Sequence, residues 1–269
     1  MKRELIVQRN PKSPIAEMFR TLRTNIQFMN SKKELKTILV TSTMPGEGKS
    51  WVSANLAITF AQTGKKVCIV DADMRKGRMA NLFQTDVIPG LSNYLSGLDN
   101  QGTIESTNIL KYIKPTEIEN LFLVPSGNVP PNPAELLGTE TTIKMLDKLK
   151  EIFDIIILDG TPAMLVTDAL ILSRLADTTI LVASHKLTKK DDLEKIKKAI
   201  ENVGGKIAGV VLNRKPVKAK EYSTSYYYGS TGNKSRHGKA EKENIENSLS
   251  AEKQEEILSQ LNNYLNNKD

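Results

Sequence analysis

The stretch that decides the fold is Thr37–Ser53, which reads TILVTSTMPGEGKSWVS. Its first apolar residues predict a buried strand, and the turn Pro45-Gly46-Glu47-Gly48 ends that strand. Residues 51–62 then show the apolar spacing of a helix. A strand, a glycine-rich turn, Gly-Lys-Ser and a helix together predict a phosphate-binding loop, in which backbone N–H groups and the helix N-terminus surround an anion.

Each residue of this loop has an expected role. We expect Lys49 to contact the β- and γ-phosphates of a nucleotide and the Ser50 hydroxyl to hold Mg²⁺. Thr43 stands where the pattern G-x-x-x-x-G-K-[ST] has its first glycine, so the match is incomplete. The alternative is an ordinary strand–turn–helix, which this context disfavours. The expected nucleotide-binding set is completed by Pro45, Gly46, Glu47, Gly48 and Trp51.

Acidic residues follow the next predicted strand, residues 66–70, in the run Asp71-Ala72-Asp73-Met74-Arg75. Carboxylates at the carboxyl end of a strand beside a phosphate-binding loop lie where an open α/β sheet binds ligands. Asp71 and Asp73 could supply a metal contact and a proton acceptor, and Arg75 could meet phosphate charge. The alternative for these residues is an acidic turn.

A third acid ends the most apolar strand of the sequence, residues 154–159. Downstream of a phosphate-binding loop, such a strand predicts that Asp159 organises Mg²⁺. A helix is expected from Ala134 to about Phe153, before this strand. A last strand, interpreted as buried, precedes Asn213, which could contact an adenine edge or be a turn residue. The later elements are predicted at 165–176 (helix), 179–183 (strand), 191–203 (helix) and 207–212 (strand).

Alternating strands and helices predict an α/β fold with a doubly wound, mostly parallel sheet. Residues 1–12 are expected to be a polar arm, and Ser13-Pro14 to start a helix. On that helix two residues of a charged trio project from the side opposite the apolar stripe and the third flanks the stripe, and this spacing alone predicts only a solvated face with a weak i,i+3 pair. The trio is Glu17, Arg20 and Arg23.

From about Pro216 the composition is rich in Lys, Glu, Ser, Asn and Gly, which predicts a disordered tail. The tail holds four of the chain's seven tyrosines, and exposed tyrosines indicate a partner or a modification. The alternative is a patch that docks on the chain's own surface. These tyrosines are Tyr222, Tyr226, Tyr227 and Tyr228. We therefore divide the chain into an arm and helix (1–30), an α/β domain (31–215) and a tail (216–269).

The composition limits the possible classes of protein. The net charge of +7 fits nucleic acid, an anionic membrane surface or a nucleotide without choosing among them. Cys68 is the single cysteine, so one subunit has neither a disulfide framework nor a cysteine-pair metal site, and we expect this residue in the core. No apolar run reaches the length of a transmembrane helix, which predicts a cytoplasmic location.

Three stretches resemble the Walker A, Walker A′ and Walker B motifs of the bacterial tyrosine kinases of capsular and exopolysaccharide synthesis. The first is Ser42–Ser50, the second CIVDADMR at 68–75, and the third IIILDGTP at 155–162. The trio on the first helix is similar to that family's E-x-x-R-x-x-R oligomerisation motif, and the tyrosine-rich tail also matches. One departure is Asp159-Gly160-Thr161-Pro162, where the family commonly has Asp-Thr-Pro-Pro.

The resemblance implies a MinD/ParA-like P-loop NTPase fold and a kinase that uses ATP and Mg²⁺ to phosphorylate tyrosines, chiefly those of its own tail. It implies that Lys49 binds phosphate, Ser50 ligates the metal and Asp71 accepts the phenol proton. Asp73 and Asp159 would organise Mg²⁺.

The family's assembly is implied in the same way. Glu17, Arg20 and Arg23 would build a ring that tail phosphorylation dissolves into monomers. The resemblance also implies a transmembrane activator whose cytoplasmic tail completes the nucleotide site, a location at the inner membrane face and a cognate tyrosine phosphatase.

Other classes of protein share parts of this pattern. A MinD/ParA-like regulatory ATPase would carry a signature lysine where Met44 stands, and it has no reason to keep a tyrosine-rich tail. An iron–sulfur scaffold ATPase needs a cysteine pair. A nucleic-acid-binding module would need a readout motif, which is missing, so no nucleic acid partner is expected. A degenerate kinase that only binds nucleotide is the weakest alternative, because every catalytic residue type is present.

Overall fold

A computed structural model describes residues 4–29, 35–97 and 108–216. Tyr222 and Tyr226–Tyr228 therefore lie outside the described residues. In the described part the helices are α1 (Ile6–Arg9), α2 (Pro14–Phe28), α3 (Lys49–Ala61), α4 (Met79–Phe83), α5 (Leu91–Ser96), α6 (Pro133–Leu137), α7 (Glu140–Ile152), α8 (Asp168–Leu175) and α9 (Lys190–Asn202). A single 3₁₀ turn spans Ile109–Tyr112 in the same ranges.

The strands of the described residues form one sheet in the order β3-β4-β2-β5-β1-β6-β7. They are β1 (Thr37–Ser42), β2 (Val67–Asp71), β3 (Lys114–Pro115), β4 (Leu121–Val124), β5 (Ile155–Pro162), β6 (Thr178–Ser184) and β7 (Ile207–Asn213). The neighbours pair in parallel, except that β3 runs antiparallel to β4. The predicted doubly wound, mostly parallel sheet is confirmed.

Apolar side chains cover both faces of the sheet, because successive residues of each strand point to opposite faces. One face packs on α3 through side chains such as Ile38, Ile69 and Ile157, and α3 is itself covered by α1 and α2. Near β6, Leu181 packs on the opposite face with Ile196 of α9. Because α3 lies between the sheet and two helices, it is buried on nearly all sides. The helix that follows the phosphate-binding loop is thus held rigidly.

Two expectations about the N-terminal and central helices differ from the structure. Residues 4–12, expected to be a polar arm, contain the short helix α1, and both Leu5 and Val7 are buried against the core. The predicted helix from Ala134 to Phe153 is two helices. Gly138 ends α6, and Thr139 is extended and begins α7 while its hydroxyl donates to the Leu136 carbonyl. The apolar periodicity continued across this break and concealed it.

Two strand assignments are also corrected. We interpreted the last strand as buried, but β7 is the sheet edge, and Val210 and Leu212 are 55% and 52% exposed. The sequence of a strand rich in β-branched residues does not show whether that strand lies at the edge or in the centre of a sheet. Asp159 does not end its strand, because β5 continues through Pro162. The predicted start of α2 is confirmed, since Ser13 Oγ accepts a hydrogen bond from the Ala16 N–H. Cys68 is buried, as expected.

Candidate active site

A cavity of about 610 Å³ opens at the carboxyl ends of the parallel strands. Its lining comes from the turn before α3, from the loops after β2 and β5, and from the end of β7. Most of the predicted nucleotide-binding residues line it. They are Pro45, Gly46, Gly48, Lys49, Ser50, Trp51, Arg75 and Asn213, and the predicted metal-binding acid Asp73 lines the cavity as well.

Lys49 lies at the centre of this site. Its Nζ is 2.9 Å from Asp73 Oδ2 and 3.7 Å from Asp159 Oδ2, and it donates to Ser50 Oγ at 3.2 Å. Burial lowers the pKa of the ammonium, but the carboxylates of Asp159 and Asp73 outweigh that effect and raise the pKa above its ordinary value. The carboxylates therefore favour the protonated form of Lys49.

Two of the predicted acids lie beneath the cavity and not on its wall. Asp159 is fully buried and accepts from the Ser53 hydroxyl at 3.0 Å, and Asp71 is fully buried and accepts from the Met79 N–H at 2.9 Å. These two residues are register partners on β5 and β2. Burial, and then the charge of Asp159, raise the pKa of Asp71 to about 8. Burial also raises the pKa of Asp159, against the effect of Lys49.

The chemistry of these donors fits Mg²⁺. Asp71 Oδ1 and Asp159 Oδ2 are buried and accept no hydrogen bond within the described residues. Oxygen ligands of this kind are those that Mg²⁺ takes, together with waters and phosphate oxygens. In that same part of the chain, no group of three or more His, Cys, Asp or Glu side chains could hold a metal by itself. A metal here would therefore depend on the nucleotide and on Ser50.

Glu47, which we included in the predicted nucleotide-binding set, does not line the cavity. The carboxylate is buried and turns away from the cavity, where it accepts from the Thr43 hydroxyl (2.8 and 3.0 Å) and from the Met44 N–H (2.9 Å). The Thr188 hydroxyl donates to it as well. Thr43, the departure from the glycine pattern, is thus one of the residues that hold the Glu47 carboxylate.

Asn213 closes the other side of the turn. Its Nδ2 donates to the Glu47 carbonyl at 2.9 Å, and a Cβ added at Gly48 would lie 2.0 Å from the same nitrogen. Gly48 also has φ +102°, in the left-handed region that glycine tolerates. In this structure the Asn213 amide therefore supports the phosphate-binding turn.

Arg75 is engaged by a partner that sequence analysis missed. Its Nε and Nη2 donate to Asp168 at 3.0 and 3.2 Å, and that carboxylate is buried in the first turn of α8. Hydrogen bonds and charge from Asp168 raise the pKa of Arg75. Nothing in the local sequence marks Asp168. Other missed lining residues are Glu4, Lys76, Arg78, Leu82, Thr161, Pro162, Leu165, Val166 and Arg214.

The charged trio of α2 lies behind this site. Arg20 donates to Glu17 at 2.8 Å, the i,i+3 pair that the spacing predicts, and to the Pro11 carbonyl at 2.7 Å. Arg23 donates to the Thr59 carbonyl of α3 at 2.8 Å. On the same helix Phe19 packs edge-on against Trp51 of the cavity, with ring centroids 5.1 Å apart. The helix of the trio thus contacts the wall of the site directly.

Comparison with known proteins identifies the family. Residues 35–210 match the family model described as an AAA domain. The chain is 38% identical over 225 residues to the putative tyrosine-protein kinase CapB of Staphylococcus aureus, which covers 84% of this chain and 95% of the relative. It is 36% identical to the tyrosine-protein kinase YwqD of Bacillus subtilis, over 87% of this chain and 94% of the relative. The chain belongs to this family of bacterial tyrosine-protein kinases. The resemblance predicted from the motifs is confirmed.

Solved structures agree with this assignment. The chimerical protein CapA2B2 superposes with a TM-score of 0.73 at 38% identity, over 81% of this chain and 92% of that one. The septum site-determining protein MinD of Pyrococcus horikoshii, complexed with Mg-ADP, reaches a TM-score of 0.56 at 24% identity, over 71% of this chain and 76% of that one. The second likeness reflects the shared P-loop NTPase fold. The comparisons therefore support the kinase and not the MinD/ParA-like alternative.

Proposed function

We propose that this kinase transfers the γ-phosphoryl group of ATP to tyrosine hydroxyls of the segment 216–269, and so regulates the polymerisation and export of a capsular or extracellular polysaccharide. The observation that carries the proposal is the position of the Lys49 ammonium, 2.9 Å from Asp73 and 3.7 Å from Asp159 at the floor of an open cavity. A half-buried cation beside acids, one of which retains a free oxygen, suits a charged triphosphate and its metal.

Each residue has a defined part in the transfer. The bond between the γ-phosphorus and its bridging oxygen breaks, a bond to the tyrosine oxygen forms, and ADP leaves. Lys49 and the N–H groups of Gly46 and Gly48 stabilise the phosphate charge. Asp71, whose unpartnered Oδ1 lies beneath the cavity, is the residue that we assign to accept the phenol proton; it must be ionised for this, a state that the charge of bound Mg²⁺ would favour. Mg²⁺, held by Ser50, Asp73 and Asp159, supplies charge neutralisation when it is bound.

The base of the nucleotide belongs at the β7 end of the cavity, away from the acids of β2 and β5. Asn213 and Trp51 both line the cavity, and we assign them to the nucleoside and the turn 45–48 to its phosphates. Arg75 acts from its fixed position on Asp168, on the side of the acids. Glu47 contributes through its backbone, since its carboxylate is turned away.

A direct assay tests the activity. The purified full chain is incubated with ATP and Mg²⁺, with and without the cytoplasmic tail of a candidate activator, and probed for phosphotyrosine. Lys49→Met should abolish the signal, while Lys148→Met, which removes an exposed charge of α7, should leave it. Replacement of Tyr222, Tyr226, Tyr227 and Tyr228 by Phe should remove the acceptors. No signal from the wild-type chain under either condition would refute the proposal.

We further propose that the chain assembles into a ring through α2, in which each tail reaches a neighbour's site, and that phosphorylation returns it to monomers. Glu17 and Met18 are exposed on α2, and Phe28 at its end is 79% exposed. Arg23 already binds Thr59 within the subunit. Glu17→Ala should thus reduce the oligomer measured by mass photometry without lowering the melting temperature, whereas Arg23→Ala should lower both. An unchanged oligomer in both variants would contradict the assignment.

The remaining partners follow from the same proposal. A transmembrane activator would bring the kinase to the inner face of the membrane and complete the nucleotide site, and a tyrosine phosphatase would reset the tail. In the described ranges no helix is long and apolar enough to cross a bilayer. Pull-down of the chain by the activator's cytoplasmic tail, and its loss from membranes of cells lacking the activator, would test this part.

A further inference from the structure

One end of the cavity carries basic side chains that the proposed phosphoryl transfer does not use. They are Lys76 and Arg78, which stand on the loop between β2 and α4, are exposed and line the cavity next to Arg75. We propose that Lys76 and Arg78, here called the basic strip, bind an anionic group next to the acceptor tyrosine. A tyrosine beside a phosphotyrosine or an acidic residue is then the preferred substrate. This inference rests on the proposed kinase function.

The sheet order places the strip on the acceptor side. Between β2 and β7 lie β5, β1 and β6, so the two ends of the cavity are separated by four strand spacings, about 19 Å. The phosphate-binding turn follows β1 in the middle, and Asn213 stands at the β7 end. With the nucleoside at that end, the γ-phosphate points towards β2. A tyrosine that attacks from the open side comes close to the β2–α4 loop.

The charges of the strip are available, whereas the charge of Arg75 is not. Arg75 is neutralised by its two hydrogen bonds to Asp168. Within the described residues neither Lys76 nor Arg78 has an ion pair or a side-chain hydrogen bond. Two unpaired cations beside a cavity attract an anion that the nucleotide site itself does not hold.

The loop that carries the strip is held in place. The Lys76 N–H donates to Asp73 Oδ1 at 3.0 Å and the Met79 N–H to Asp71 Oδ2 at 2.9 Å. A Cβ at Gly77 would lie 2.2 Å from Ser126 Oγ, so the backbone packs closely there. Because the loop is already ordered, it loses little conformational entropy when an anionic ligand binds.

The occupant we assign is the segment 219–229 of a second copy, which reads AKEYSTSYYYG. Tyr226, Tyr227 and Tyr228 are consecutive, so one phosphorylation puts a charge of about −1.5 to −2 beside the next acceptor. Successive residues of an extended chain are about 3.3 Å apart, which is within reach of a long basic side chain. A phosphate on the acceptor itself lies against Asp73 and is repelled, while one on the neighbouring residue meets the strip. The tyrosines are thereby phosphorylated in succession.

The test compares peptides that differ in one neighbouring residue. The enzyme is the full chain with its four tail tyrosines replaced by Phe, which removes self-phosphorylation. The substrates are peptides of residues 219–229 with Tyr227 as sole acceptor and with Phe, Glu or phosphotyrosine at position 226. We expect KM for the phosphotyrosine peptide to be about threefold to tenfold below that of the Phe peptide, with kcat unchanged and the Glu peptide intermediate.

Charge-matched variants show whether the strip is responsible. Lys76→Gln/Arg78→Gln should abolish the difference between the peptides, whereas Lys148→Gln/Lys198→Gln, on the exposed faces of α7 and α9, should retain it. Equal KM values in the wild-type background, a preference for the Glu peptide alone, or a preference that survives in the strip variant would overturn the inference. Absence of phosphorylation of every peptide would instead refute the kinase proposal.

Discussion

The Glu47 carboxylate accepts a hydrogen bond from the Thr188 hydroxyl, across 141 residues of sequence. Thr188 also accepts from the Ser184 N–H at 2.8 Å, at the end of β6. The phosphate-binding turn is thereby tied to the loop between β6 and α9. A buried carboxylate that accepts several hydrogen bonds makes this connection costly to break.

Loss of this connection should weaken nucleotide binding. Thr188→Val leaves the buried Glu47 carboxylate short of one donor, at a cost of about 1–2 kcal/mol in the free energy of the folded turn. We expect this distortion of the turn to weaken ATP affinity by roughly tenfold. Thr188→Ser keeps the hydroxyl and should bind ATP like the wild type. Titration with a fluorescent ATP analogue measures both. Equal affinities of the Val and Ser variants would show that the hydroxyl has no such role.

Gly48→Ala should damage the site more than Gly46→Ala. Both residues have positive φ, +102° and +82°, but an added Cβ meets an atom within 4 Å only at Gly48, where Asn213 Nδ2 is 2.0 Å away. We expect Gly48→Ala to abolish nucleotide binding in calorimetry and Gly46→Ala to weaken it. The double variant Gly48→Ala/Asn213→Ala removes the clash and should regain part of the affinity. Because we assign Asn213 to the nucleoside, the affinity of Asn213→Ala alone sets the upper limit of that gain, and no gain in the double variant would show that the clash with Asn213 is not the cause of the loss.

Arg75→Gln should destabilise the fold through Asp168. The carboxylate is fully buried and would remain without its charged partner, while Arg75 itself is 38% exposed, so we expect a loss of about 2 kcal/mol in the free energy of unfolding. The further change Asp168→Asn removes the unpaired charge and should restore part of that loss. Urea denaturation of the two single variants and the double variant measures the coupling. If the changes in the free energy of unfolding of the two single variants simply add in the double variant, Arg75 and Asp168 are not coupled.

The pKa of Asp71 predicts how stability changes with pH. Burial and Asp159 raise this pKa to about 8 in the folded state, above its value of about 3.9 in the unfolded chain. The folded protein therefore binds one more proton between these values, and its stability falls as the pH rises from about 4 to about 8. The slope is at most about 1.4 kcal/mol per pH unit, and above pH 8 this contribution levels off.

Asp71→Asn should flatten this dependence. Urea unfolding at several pH values between 5 and 7.5, without nucleotide or Mg²⁺, gives the slope for each protein. Asp147→Asn, which changes an exposed acid of α7, serves as the control and should keep the wild-type slope. A wild-type slope that is retained in Asp71→Asn would show that other groups carry the pH dependence.

The sequence determined the elements that follow from local pattern. The strand, turn and helix around Lys49 were predicted because glycine and proline interrupt an apolar run in a characteristic way. Asp71 and Asp73 were placed at a ligand site because they follow a strand beside the phosphate-binding loop, and the family resemblance added the shared role of Asp73 and Asp159. The strongest of these local signals were also those that carried the family resemblance.

Only the tertiary structure decided which side chains face the cavity and which are engaged elsewhere. Glu47 stands in the phosphate-binding turn, yet its carboxylate meets Thr188, and Arg75 meets Asp168 from 93 residues away. The edge position of β7 likewise depends on strand order. These contacts join residues that are far apart in sequence and not related by a helix or strand period, so no local pattern could predict them. They exist because the sheet order brings together the ends of strands that are distant in sequence.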